Sequence, residues 1–182
     1  MTICDFFNLP TAGKRKEQVT YKKKNMIVKD YIVYRIVNPL FNCKVGDMIL
    51  PHSRDYCGEH KRRVEQTLQV YKPSFFPSRK DSLFVCFSKE NANEWAVHKW
   101  GTNTEYKLLT LSVTGDLFWL KAEYYNNCWP SCSDEMLINA TKKYWDSNTE
   151  DIDSLTVDHE YEGLFVGDAK VIGVEIKKSY KM

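Results

Sequence analysis

The chain has 182 residues, 43% of them hydrophobic and 27% charged, a balance that fits one globular domain with a core of its own and leaves little room for a second. The longest wholly apolar run, 83–87, is far too short to cross a bilayer, and no export signal precedes the domain, so a cytoplasmic protein with free thiols at Cys4, Cys43, Cys57, Cys86, Cys128 and Cys132 is expected. The net charge of +2 conceals an asymmetry: residues 1–80 hold 16 Lys/Arg against 7 Asp/Glu, and residues 81–182 hold 10 against 17. Either the halves fold on each other and neutralise, or Lys14-Arg15-Lys16, Lys22-Lys23-Lys24 and Lys61-Arg62-Arg63 form a basic face for nucleic acid or an acidic protein.

Residues 1–25 are polar, basic and aperiodic and are expected to form an arm ahead of a single domain over 26–182. The run MIVKDYIVYRIV, Met26–Val37, is rich in β-branched and aromatic residues and predicts a strand ended by Asn38-Pro39. A short second strand is expected over 45–50 before Pro51. Val64, Leu68 and Tyr71 recur at helical spacing within 55–71 and predict an amphipathic helix closed by Pro73. A loop over 72–79 then leads into an apolar run over 82–87, expected to be a buried central strand.

Ser88 stands where a helix N-cap belongs, ahead of Glu90, Ala92 and Ala96, with Gly101 at the far end. The stretches 106–113 and 117–122 read as two strands joined by a Thr114-Gly115-Asp116 turn. Leu137, Ala140 and Tyr144 mark a helix over 136–145, and 163–166 with 170–176 read as a closing strand pair around Gly167-Asp168. Strands interspersed with two or three helices, without strict alternation, give an α+β class.

The sequence holds no Walker loop, GxGxxG, HExxH or GxSxG motif, which removes the commonest nucleotide, zinc-protease and hydrolase readings. Cys128 and Cys132 in CWPSC lack the spacing of a zinc knuckle, and Cys57 with His60 has no companions, so no metal is expected. What remains is an ordered set: Arg35 inside an apolar strand, Ser82 and Ser88 bracketing the run 82–87, Arg79 on the loop before it, and Glu160-Tyr161-Glu162 ahead of the last strands. Each has a plain structural explanation: a solvent-facing strand arginine, a helix cap, a surface arginine beside Lys80, two glutamates on one side of an extended segment.

The stretches FFPSRKDSLFVCFSKENANEWA, KKYWD and EYEGLFVGDAKVIGVEI resemble a bacterial and phage family related to the ADP-ribosyltransferases. In that superfamily a strand Arg, a strand Ser and a late Glu follow in chain order, matched here by Arg35, Ser88 or Ser82, and Glu162, although the usual Ser-Thr-Ser is absent. The resemblance implies mixed, split β-sheets flanked by helices, with NAD as substrate. It assigns Glu162 to the nicotinamide ribose and Glu160 to the acceptor, with Arg35 and a serine, Ser88 or Ser82, on the dinucleotide; Arg79, on the loop leading into the central strand, is by its position a further candidate for phosphate contact. The activity implied is mono-ADP-ribosylation of a protein, on arginine where the Glu-x-Glu pair operates, or of a nucleic acid. A catalytically inactive relative that binds and inhibits a host protein is the alternative.

Overall fold

The computed structural model describes residues 25–51, 59–126, 128, 132–148 and 161–181, so the arm over 1–24 and Glu160 lie outside the described residues. These residues form an α+β structure around four strands: β1 (Met26–Val37), β2 (Leu83–Val85), β3 (Glu105–Lys121) and β4 (Tyr161–Lys178). Four helices accompany them: α1 (Glu59–Val70), α2 (Lys89–Trp100), α3 (Glu123–Asn126) and α4 (Asp134–Asp146). The strand order is β1-β3-β4-β2, with every paired neighbour antiparallel. Among the described residues this one antiparallel sheet stands where mixed, separate sheets were expected. Its two edges also meet: Tyr34 and Cys86 exchange backbone hydrogen bonds of 2.8 and 2.7 Å, so the sheet curls until β2 touches β1.

The two expected hairpins are absent. Both supposed turns lie inside unbroken strands, β3 of 17 residues and β4 of 18. Straight, a 17-residue strand would run about 58 Å, against a radius of gyration of about 16 Å for a 182-residue domain. The strands must therefore bend, and the glycines permit it. Gly115 and Gly167 are directly paired, with φ of +153° and +145°. A Cβ on Gly115 would lie 2.3 Å from the Val166 carbonyl oxygen, and one on Gly167 would lie 2.4 Å from that of Thr114. On the same level β1 is irregular between Val28 and Tyr31, and Asp30, at φ 52°, donates its backbone N–H to Thr114 Oγ1 at 3.1 Å. A line of strain crosses three strands, and a glycine inside a strand marks close backbone approach rather than a turn.

Two more expectations need correction. Segment 45–50 makes no strand, only a bridge from Met48 to Lys170 flanked by hydrogen bonds to Ala169 and Val171. The run 82–87 is shorter than expected and pairs at the sheet edge rather than its centre, its burial coming from the curl and from packing on both faces. The helices agree well with the pattern. Ser88 Oγ accepts from the Asn91 N–H at 2.9 Å as the N-cap of α2, and Gly101, at φ 86°, closes it.

The core falls into three clusters. The first lies on the face of the sheet carrying Val33, Leu109, Leu117, Trp119 and Phe165. The second packs the opposite face, through Phe118, Leu120 and Leu164, against Leu68 of α1 and Leu137, Tyr144 and Trp145 of α4. The third seats Ala92 and Ala96 of α2 on Tyr106 and Leu108. Trp145 Nε1 donates to the Leu68 carbonyl at 2.9 Å and fixes α4 to α1.

Gly167→Ala is expected to cost roughly 2–4 kcal/mol, because a side chain at this φ also collides with the backbone of β3. Gly46→Ala has a positive φ but open space, and should cost less. Urea denaturation of the two variants checks the order.

Candidate functional site

The polar centre of the second cluster is Arg79. Ser78 caps the 3-10 turn Arg79–Asp81, and Ser82 Oγ donates to the Ser78 carbonyl at 2.8 Å, so the Pro77-Ser78 approach and Ser82 together aim the arginine inward. Its side chain ends among four partners on four different elements. Nε and Nη2 donate to the two carboxylate oxygens of Glu65 on α1, at 3.1 and 3.2 Å. Nη1 donates to Glu162 Oε1 on β4 and to the Tyr144 hydroxyl on α4, and Nη2 reaches the Tyr125 hydroxyl of α3 at 3.3 Å. The guanidinium carbon also lies 4.6 Å from the centre of the Phe84 ring and 4.8 Å from that of Tyr125.

Glu162 completes the network. Tyr144 donates to its Oε1 at 2.6 Å and Tyr125 to its Oε2 at 3.0 Å. Arg79 and Glu162 are each only 4% exposed, while Glu65 and Tyr125 are half-buried and form the rim. Burial disfavours a charged guanidinium, but Glu162, the two phenols and Glu65 outweigh it and hold Arg79 well above its ordinary pKa. Burial raises both phenols; Glu162 adds to this and Arg79 opposes it. Formally, two carboxylates face one guanidinium.

The structure thus joins two of the expected site residues, Arg79 and Glu162, and corrects the reading of Arg79 as a surface residue. Arg35 goes elsewhere. It shares a face of β1 with Val33 and Val37 of the first cluster, and its Nη1 donates to the Phe84 carbonyl at 2.9 Å, beside the Tyr34–Cys86 bridge. It therefore ties β1 to β2. Ser88 is engaged as the cap of α2, and Ser82 is buried beneath Arg79's turn.

Glu65, Tyr125 and Tyr144 were not singled out from sequence. Tyr144 stood in the apolar stripe of α4, where a phenol must find a partner for its hydroxyl, and Glu65 lies between Val64 and Leu68 on the buried side of α1. Tyr125 had no comparable signal. Among the described residues no three His, Cys, Asp or Glu side chains are grouped to hold a metal, and no helix is long and apolar enough to cross a membrane.

This is an α+β chain that buries an arginine–carboxylate–phenol network between one face of its sheet and the helices α1, α3 and α4. Residues 13–179 match the family described as a protein of unknown function (DUF2441), and the chain belongs to that family. No curated protein matches it.

Arg79→Leu leaves two carboxylates without their cation and is expected to cost about 3–5 kcal/mol in denaturant unfolding. Alkali provides a second check. Because the folded phenols titrate above their unfolded value, their contribution is intact below about pH 10 and is lost as pH rises beyond it. The phenolate absorbance of Tyr125 and Tyr144 should emerge only with unfolding, and Tyr144→Phe should remove one of these late-titrating groups.

Proposed function

We propose that this chain is an NAD-dependent mono-ADP-ribosyltransferase with an ADP-ribosyltransferase-like arrangement, and that Glu162 is the carboxylate that serves the nicotinamide ribose. One observation carries the reading: Glu162 is held rigidly by Arg79, Tyr125 and Tyr144 on a strand that borders β2, which in turn touches β1. The strand of Arg35, the run bracketed by Ser82 and Ser88, and the strand of Glu162 are therefore neighbours, in the chain order that the resemblance implies. The continuous bend of β3 and β4 at Gly115 and Gly167 is compatible with a core divided between two sheet directions.

The chemistry suits the site. Cleaving the nicotinamide–ribose bond builds positive charge on the ribose, and a carboxylate fixed beforehand stabilises it without reorganising. Two carboxylates around one guanidinium leave a formal negative charge for that cation. Tyr125, half-buried, is the group that must move to open Glu162 Oε2 to a substrate. Glu160 would prepare the acceptor, a protein side chain such as arginine, with nucleic acid as a second acceptor class suited to the basic first half. Arg35 enters this reading as the residue that holds β1 against β2, and Arg79 as the one that orients the carboxylate. The phosphate contacts first assigned to these two arginines are not part of it.

A second reading has its own observation. Both oxygens of Glu162 are already bonded and the group is nearly inaccessible, which favours a chain that keeps the arrangement and binds a host protein without catalysis. Labelled NAD incubated with the purified protein and cell lysate separates the two. Transfer or nicotinamide release is expected, falling about 100-fold or more in a folded Glu162→Gln variant. No turnover, with one lysate protein retained equally by the parent and Glu162→Gln chains, would replace the first reading with the second.

A further inference from the structure

Cys128 and Cys132 lie together at the edge of the second cluster, the first buried and the second half-buried. Cys128 belongs to the end of α3: its backbone N–H donates to the Tyr125 carbonyl at 3.0 Å, and its thiol faces the Tyr124 carbonyl at 3.7 Å. Cys132 belongs to the start of α4, immediately before the cap Ser133. Its carbonyl accepts from Arg63 Nη2 at 3.1 Å, and the same nitrogen pairs with Asp134 at 2.5 Å. Burial and the neighbouring Cys132 push the Cys128 thiol up, and Arg63 opposes them.

We propose that Cys128 and Cys132 are an oxidation site that closes to a disulfide in the presence of a hydroperoxide and fastens the end of α3 to the start of α4. The more accessible Cys132 thiolate attacks the peroxide, its sulfur taking one oxygen as the O–O bond breaks, and the sulfenic acid so formed is attacked by Cys128. The S–O bond breaks as the S–S bond forms, and the Cys128 proton leaves with the departing hydroxide as water. Two thiols and one hydrogen peroxide thus give one disulfide and two waters.

The other described cysteines are placed differently. Cys86 is buried within the sheet, where burial pushes its thiol up to about 12, and Cys43 lies on a separate segment against the first cluster. The bridge would act close to the buried network, because Cys128 is fastened to Tyr125, whose hydroxyl closes over Glu162. The site itself does not depend on the enzymatic reading.

Peptide mass spectrometry of the fully reduced protein after brief hydrogen peroxide treatment and alkylation tests it. Both cysteines fall in the tryptic peptide 122–142, which should lose two hydrogens, resist alkylation, and recover both thiols with dithiothreitol. In Cys128→Ser the sulfenic acid should persist at Cys132 and be trapped by dimedone, while Cys86 stays unmodified. Alkylation of both Cys128 and Cys132 after peroxide, or a bridge from either to another cysteine, would overturn the assignment.

Discussion

A guanidinium buried among two carboxylates and two phenols is the constraint around which the rest of this structure is arranged. Removing an ion from water costs several kcal/mol even after relaxation, and only close, well-directed partners return it. Arg79 has such partners on α1, α3, α4 and β4, so each of these elements is held in one position relative to the others by the same charge. The surrounding aromatic rings of Phe84, Tyr125 and Tyr144 exclude water and strengthen every contact within.

The sheet makes that convergence possible. Without the paired glycines, β3 and β4 would overrun the domain; with them, the strands bend and the sheet curls until its edges touch at Tyr34 and Cys86. The curl gives β4 two faces to bury. On one, Tyr161 and Phe165 enter the first cluster; on the other, Glu162 and Leu164 meet the helices. Asn91 and Trp95 of α2 both donate to the Tyr161 carbonyl, at 3.3 and 3.5 Å, and so secure the backbone next to Glu162.

The same burial gives Glu162 its chemical interest and limits its access. In the proposed reading, a carboxylate oriented by an arginine and two phenols would face a developing cation once the rim at Tyr125 yields. Cys128 and Cys132 lie where that rim joins α4, so the proposed bridge would form beside Tyr125.

Local pattern was enough to define β1, the capped helix from Ser88 to Gly101, the core of α4 and the α+β class, because side-chain periodicity and capping act over a few residues. Glu162 stood out as a carboxylate at the start of the last apolar stretch, where it proves to lie within β4, and Arg79 by its place before β2. The glycines at 115 and 167 were legible as special positions but not as a pair: a turn and a close strand crossing demand the same residue, and only the pairing of β3 with β4 distinguishes them. Likewise the sequence determined that a strand arginine, a loop arginine and a late glutamate were present. Tertiary structure alone decided that Arg79, rather than Arg35, meets Glu162, because the alternation of side chains across a curled sheet sends Arg35 and Glu162 into different clusters.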